Sequence, residues 1–459
     1  MKEKRTSAIL YLLILAITVL FTSMLVLCGM YLDLRLNGIT SSLPGIPEND
    51  KWVFTDSSYS AYNSNDQLIS PVFIGVKNEY SGMNAAAYDK DAREIIGKQV
   101  EPVIMSLFSG SAENVVFLSE DERLDFVKST IDTDSYIYMG FYDELPNAAI
   151  LPGLYGNGNY GYLDESFNVK YLFIMSDGSS SKGICFNDEL DAWILHPSEE
   201  IEFDQKRFNA YNEVSGFAEF EFVSDTVPEP VFTESFSVKS TLIVPSFSFY
   251  GFNLGDSNTT ELLKALDFNP NLVKTYTYSD NSVISFVGED KELHVSLTEQ
   301  KLYFSGYNSG IHLSEYLKYH PFADEYTFTD KLLCVKYLIN SLDRILVGGD
   351  ASPSIVSITD SEGETVFKLK YFQNGIAVSD DNYDMLVAVS GEYINRIEIS
   401  AVFCDGGNLE IPVIPQRLAL KLFDDYLNDE SFAGFNAMFV NNPSSGTAEF
   451  VWTMRKDVE

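Results

Sequence analysis

Residues 8 to 32, AILYLLILAITVLFTSMLVLCGMYL, run for 25 positions without a charge. As a helix this run is about 37 Å long, more than the roughly 30 Å of hydrocarbon in a bilayer. It is also too long for the apolar segment of a signal peptide, and no small-x-small cleavage site follows it. Leu27 stands where a lipoprotein would carry a small residue before Cys28. The run therefore predicts an uncleaved transmembrane helix. Lys2, Lys4 and Arg5 precede it and Asp33 is the first charge after it, which places the N-terminus in the cytoplasm and the rest outside.

The patterns beyond residue 32 are shorter. SSLPGIPEND closes a Pro, Gly and Ser linker over 33–50. LISPVFIGV (68–76), NVVFL (114–118) and SYIYMGFY (135–142) read as strands. Ala92, Ile95, Ile96, Val100, Val103, Ile104, Leu107 and Phe108 recur at helical spacing, with Pro102 expected to kink that helix. Ser119 and Glu122 form a capping box. A Gly-rich stretch, PGLYGNGNYGY (152–162), reads as a loop between units. VKYLFIM (169–175), KGICF (182–186), GFAEFEFV (216–223) and VKSTLIVP (238–245) read as strands, with a helix expected over 204–214.

From about residue 250 one pattern occurs twice. NTTELLKAL (258–266) predicts a helix, and VKTYTYS, SVISFVG, ELHVSLT and KLYFSG predict a strand meander. TDKLLCVKYLINSLDRILVGG (329–349) predicts a second helix, apolar along Val335, Leu338, Ile339, Leu342, Ile345 and Leu346 and stopped by Gly348. IVSIT, TVFKLKYF, MLVAVS and YINRIEISAVF predict a second set of strands. A helix from Pro415 to about Leu427 and a strand at TAEFVWTM follow. The expected class is α+β: a transmembrane helix, then an ectodomain of mostly antiparallel sheets with packed helices and a repeated helix-plus-meander unit. The expected divisions are a tail (1–7), the membrane helix (8–32), the linker (33–50), an N-terminal α+β domain (51–150), a central β-rich domain (151–249) and a C-terminal α+β domain (250–459).

Composition adds three constraints. Hydrophobic residues make up 45% and aromatic residues 14%, which excludes a disordered chain and favours strands. Against 67 acidic residues stand 31 basic ones, a net charge of −36. Setting aside Lys2, Lys4, Arg5 and Glu3 leaves 28 basic and 66 acidic residues outside, or −38. Such a surface repels nucleic acid, anionic headgroups and polyanionic wall polymers. Beyond Cys28, the odd number of cysteines (Cys185, Cys334 and Cys404) builds no complete disulfide framework, and their apolar neighbours predict buried thiols.

Motifs for chemistry are fragmentary. Gly156, Gly158 and Gly161 match G-x-G-x-x-G, but Pro152 precedes them and GYLDESF follows, without the strand and helix a dinucleotide site needs. Ser179 with Lys182, and Ser279-Asp280-Asn281, echo penicillin-binding enzymes, yet the third element is missing and the Ser does not open a helix. His196, His294, His312 and His320 are scattered, with no metal-binding spacing. The clusters Asp188, Glu189, Asp191 and Asp380, Asp381, Asp384 lack the calcium-loop pattern and are expected to be solvated. No catalytic, cofactor or metal site is predicted.

Four stretches resemble the YycH family of extracytoplasmic regulators of the WalK histidine kinase, whose C-terminal architecture the YycI family shares. They are SPVFIGV (70–76) followed by a helix and NVVFLSEDERLDFV (114–127); YIYMGFYDELPNAAI (136–150); LLKALDFNPNLVKTYTYSDNSVISFVGEDKELHVSLTEQKLYF (262–304); and VFKLKYFQNGIAVS (366–379). In the last, Ala377 stands where the family strand usually has Pro. The resemblance implies a non-enzymatic, membrane-anchored regulator in a low-GC Gram-positive bacterium. Its expected partners are a membrane sensor histidine kinase, a second YycI-like anchored regulator and the bilayer. The helix itself offers a contact face: Thr18, Thr22, Leu25 and Gly29 lie near one stripe, and small and hydroxyl residues are what bring helices together in lipid. The alternative expectation is an extracytoplasmic ligand- or wall-binding module, for which an aromatic-lined pocket would speak.

Overall fold

The computed structural model describes residues 67–78, 82–85, 90–109, 112–119, 122–123, 129, 136–155, 166–176, 181–197, 218–222, 230–232, 242–246, 256–278, 282–307, 310–317, 326–346, 351–361, 363–373, 375–379, 382–400, 405–411, 432–442 and 447–456. The expected membrane helix over 8–32, with its stripe of Thr18, Thr22, Leu25 and Gly29, and the helices expected over 204–214 and 415–427 lie outside these residues. Among the described residues no helix is long and apolar enough to cross a membrane.

The architecture is α+β, with mostly antiparallel sheets and a few helices. The first sheet has nine strands: β1 (Phe73–Asn78), β2 (Gly82–Ala85), β3 (Val115–Phe117), β4 (Tyr136–Pro146), β5 (Asn168–Ser176), β6 (Ser181–Phe186), β7 (Ala192–Leu195), β8 (Ala218–Phe222) and β9 (Pro230–Phe232). They are ordered β3-β7-β6-β5-β4-β1-β2-β8-β9. The division expected at residue 150 runs through this sheet, because β4 and β5 on either side of it are paired, Tyr138 opposite Phe173.

Two helices belong to this half. Helix α1 (Lys90–Phe108) continues as one element through Pro102, which is exposed. Its Val100, Val103, Ile104, Leu107 and Phe108 are buried. Helix α2 (Asn147–Tyr155) occupies the start of the stretch expected to be a loop. The sequence there is apolar on every side and carries Pro152 and Gly153, so it shows neither amphipathic period nor helix-forming composition. Burial on all sides explains both: every residue but Ala148 is buried.

The second half repeats. Strand β10 (Leu242–Ser246) pairs apart with β21 (Asp405–Ile411). Helix α3 (Asp256–Ala265) precedes β11 (Lys274–Thr277), β12 (Val283–Val287), β13 (Lys291–Ser296) and β14 (Lys301–Gly306). After the short β15 (Ile311–His312), helix α4 (Phe328–Leu346) precedes β16 (Ser352–Ser361), β17 (Glu364–Gln373), β18 (Ile376–Ala377), β19 (Met385–Ser390) and β20 (Tyr393–Ser400). Strands β22 (Phe432–Asn442) and β23 (Thr447–Lys456) complete a twelve-stranded sheet.

The heart of that sheet runs β11-β12-β13-β14-β20-β19-β17, with β16 beyond β17. Helix α3 is thus followed by the meander β11–β14, and α4 by β16, β17, β19 and β20 with the two-residue β18 between β17 and β19; the two runs meet through their last strands, β14 antiparallel to β20. That order reads the same from either end. It places β11 and β16, the first strand of each unit, at corresponding outer edges.

Local chemistry sets both helices. Thr327 caps α4: its N–H donates to Asp330 Oδ2 at 2.9 Å, and the Asp330 N–H donates to Thr327 Oγ1 at 3.2 Å. Asp267 ends α3 in the left-handed region at φ 56°, with the Phe268 N–H donating to the Leu263 carbonyl. Both helices lie on one face of the sheet. Phe286, Leu293, Phe304, Ile397, Val387 and Phe367, directly opposite one another across six strands, form a buried row against them.

The two halves share one apolar core that extends from Leu68 to Ile399. Backbone bonds join them as well. The Ile355 N–H donates to the Leu68 carbonyl at 2.7 Å, and the Ser70 N–H donates to Ser354 Oγ at 3.0 Å, so the segment 68–70 lies along the outer edge of β16.

Candidate functional site

Alternation along the strands leaves the face of the large sheet opposite α3 and α4 polar. Its central row is Tyr276, Ser285, His294, Tyr303, Glu398, Leu386 and Lys368, each opposite the next. Six strand spacings of about 4.8 Å make this row roughly 29 Å wide. Tyr276 is exposed, His294, Tyr303, Glu398 and Lys368 are half-buried, and Ser285 and Leu386 are buried, whereas every residue of the apolar row behind them is buried. Arg396 stands exposed in the neighbouring row, opposite Ser305.

Hydrogen bonds fix the side chains of this face. His294 Nδ1 lies 2.7 Å from Ser285 Oγ on the paired strand, and its Nε2 lies 3.3 Å from Glu292 Oε1. The Tyr307 phenol is hydrogen bonded to the same Glu292, which pushes its pKa up. The Tyr383 hydroxyl donates to Glu398 Oε2 at 3.1 Å, and Lys368 Nζ lies 5.9 Å from the Tyr383 ring centre. Partial burial first, then the Glu398 charge and hydrogen bond, push the Tyr383 phenol up, while Arg396 pulls it down. On this face Tyr307 and Tyr383 are thus held by glutamates, and Lys368 and Arg396 stand beside Tyr383.

A second histidine has a similar set of partners. His312 Nδ1 accepts from the Ser314 N–H at 3.1 Å and lies 2.7 Å from Ser314 Oγ, while Nε2 lies 3.2 Å from Glu392 Oε2. A backbone N–H can only donate, so Nδ1 is the acceptor and Nε2 carries the proton toward Glu392. Tyr393 stands edge-on to the ring at 5.0 Å. Serine, histidine and glutamate in line are the ingredients of a base-activated hydroxyl. Here the backbone N–H already occupies the lone pair that would take the serine proton. The arrangement caps the turn Leu313–Glu315 and ties it to β20. Glu392 is 80 residues from His312 in the chain, which is why spacing gave no signal for the trio.

A buried charged group joins the two sheets. Lys370 is 1% exposed, donates to the Ser379 carbonyl at 3.2 Å and lies 5.7 Å from the centre of the Tyr142 ring on β4. The Ser379 hydroxyl donates in turn to Asp384. Asp384 is 1% exposed and also accepts the Tyr371 N–H at 2.8 Å. This corrects the expectation of a solvated carboxylate there. Asp188 and Asp191 are likewise not free in solvent: Asp188 pairs with the buried Lys170, and Asp191 with Arg123 at 3.4 Å. Glu189 is exposed, as expected.

The other sequence candidates separate. Gly156, Gly158, Gly161, Ser179, Ser279, Asp280, Asn281, His320, Asp380, Asp381 and Cys404 lie outside the described residues, and Lys182 is half-buried on β6. His196 is exposed. Among the described residues no three His, Cys, Asp or Glu side chains come together as a metal site. Cys185 and Cys334 are free and buried. Desolvation pushes the Cys185 thiol well up, and desolvation together with Asp330 pushes Cys334 up to about 12.

No family model and no curated protein matches the chain. Among solved structures, an uncharacterized protein from Eubacterium rectale is similar at 11% identity and a TM-score of 0.31, over 46% of this chain and 74% of that one. A likeness of that size bears on neither fold nor function.

Proposed function

We propose that this protein is a non-enzymatic, membrane-anchored extracytoplasmic regulator of a cell-envelope two-component sensor histidine kinase, acting through transmembrane and ectodomain contacts. The observation that carries the reading is the broad outer face of the large sheet. Tyrosine and arginine are the residues that protein interfaces favour, and a band about 29 Å wide suits a protein partner better than a small ligand. The uncharged run 8–32 and the stretches resembling YycH support the same reading. The anchor would contribute Thr18, Thr22, Leu25 and Gly29, and a second YycI-like regulator would be a further partner. Regulation follows if the ectodomain binds one kinase state better than the other. No cofactor is called for.

Exchanging Thr18 and Thr22 together for Leu, in the full chain in membranes, tests the anchor contact. Loss of kinase co-purification supports it, and unchanged recovery of every membrane partner refutes it. The second reading, a ligand- or wall-binding module, draws on the same exposed tyrosines. Retention of wall fragments by the full chain, without any kinase, would favour that reading.

A further inference from the structure

The two outer edges of the repeated sheet differ. At β16 the edge is covered by the chain's own segment 68–70, through the Ile355 N–H to Leu68 carbonyl bond. At β11 no described strand pairs with the outer side, and Lys274, Thr275, Tyr276 and Thr277 are all exposed. Apolar surface gathers at that edge: Leu272 is 76% exposed, Tyr276 54% and Tyr278 59%. An uncovered edge with apolar side chains is a template for another strand.

The ladder says which groups face outward. The Tyr278 N–H donates to the Val283 carbonyl, so 278 and 283 are a hydrogen-bonded pair. Antiparallel pairs alternate, so Tyr276 and Lys274 also point their backbone groups inward to β12, and Thr275 and Thr277 point theirs out. We infer that β11 pairs antiparallel with β11 of a second copy of this chain, about a two-fold axis at Tyr276.

In that register Thr275 exchanges both backbone bonds with Thr277 of the other copy. Tyr276 faces Tyr276, and Lys274 faces Tyr278. Aromatic, threonine and cation–aromatic pairs are all favourable cross-strand neighbours. Charge also selects this edge. The stretch Asn271–Tyr278 holds Lys274 and no acidic residue, in a chain of net charge −36, so two copies meet there without like-charge contact between the paired strands. Tyr276 belongs to the outer face described above, so pairing would make the two faces continuous. The inference stands independently of the kinase reading.

The test uses the full chain in nanodiscs. Thr277→Pro removes an outward N–H and leaves the β11–β12 ladder its hydrogen bonds. Tyr276→Cys puts two thiols directly opposite at a Cα separation of about 4.5 Å, within disulfide reach. Thr275→Cys leaves its two copies about 8 Å apart, beyond it. We expect a wild-type dimer by mass, a monomer for Thr277→Pro, and a disulfide-linked dimer under mild oxidation for Tyr276→Cys alone. A monomeric wild type, a dimer that survives Thr277→Pro, or Tyr276→Cys that cross-links no better than Thr275→Cys would overturn the inference. The cysteine pair reads the register even if the proline variant fails to fold.

Discussion

Gly153 lies against Ile69 so closely that a Cβ on Gly153 would fall 2.3 Å from Ile69 Cδ1. The Gly153 carbonyl accepts the N–H groups of both Leu68 and Ile69, at 2.9 and 3.0 Å. The same segment then bonds to β16, so this one glycine seats the strip that joins the two sheets. Gly153→Ala should therefore destabilise the protein by about 1–3 kcal/mol through overpacking. Urea unfolding of the full chain in detergent would measure it. Gly363→Ala serves as a control for a crowding effect: it has open space around it, so its own cost is that of a left-handed φ of 85° alone.

Beside the Lys370 junction, Asp384 accepts both the Tyr371 N–H and the Ser379 hydroxyl. Asp384→Ala leaves the buried Tyr371 N–H without its partner and should cost about 1–3 kcal/mol. Asp384→Asn keeps an oxygen for that N–H and should cost less. Thermal unfolding of the two variants side by side gives the order, and equal losses would contradict this account of the site.

The raised Cys334 thiol makes stability fall at high pH. In the unfolded chain a thiol releases its proton near its ordinary value of 9.0, whereas the folded one holds it to about 12. Between those values the unfolded state binds fewer protons, so stability present below pH 9 is lost as the pH rises toward 12. The buried Tyr316 phenol, also raised by burial, acts in the same sense from its ordinary value of 10.0 upward. The melting temperature should fall above pH 9, and less steeply in Cys334→Val. At pH 8 neither Cys185 nor Cys334 should react with a thiol reagent until the protein is unfolded.

His312 should be held as the Nε2–H tautomer, with Nδ1 accepting from Ser314. Nitrogen-detected NMR of the labelled ring distinguishes the two tautomers. Glu392→Gln should leave that tautomer in place, because the Ser314 N–H, not the carboxylate, fixes it. A protonated Nδ1 in the neutral ring would contradict the capping role.

Much of the fold was readable from pattern. The stripe through Val335, Leu338, Ile339 and Leu342 lies buried on α4, and the two meanders alternate as their sequences do. Helix α2 was not readable, because a helix buried on every side has no polar face to reveal its period. Nor was the junction. Ser70 and Ser354, 284 residues apart, meet only once two sheets have formed, and each looks like an ordinary loop or strand serine by itself. The buried Asp384 was misread for a related reason: its partners are the Tyr371 N–H on β17 and the Ser379 hydroxyl in the connection after β18, which only the fold brings to it, and composition alone puts an acidic residue in water. The outer face was legible as alternation, but His294 with Ser285, and His312 with Glu392, required strand register to bring them together.

Cross-linking of the full chain in cell membranes, with mass spectrometry of what is captured, tests the proposed regulatory role most directly. We expect a sensor histidine kinase linked to Lys368, or to Lys301 two residues from Tyr303 on β14, and loss of that kinase when residues 8–32 are exchanged for an unrelated membrane helix. Capture without any kinase, or kinase capture that is indifferent to the exchange and maps away from the outer face, would contradict it.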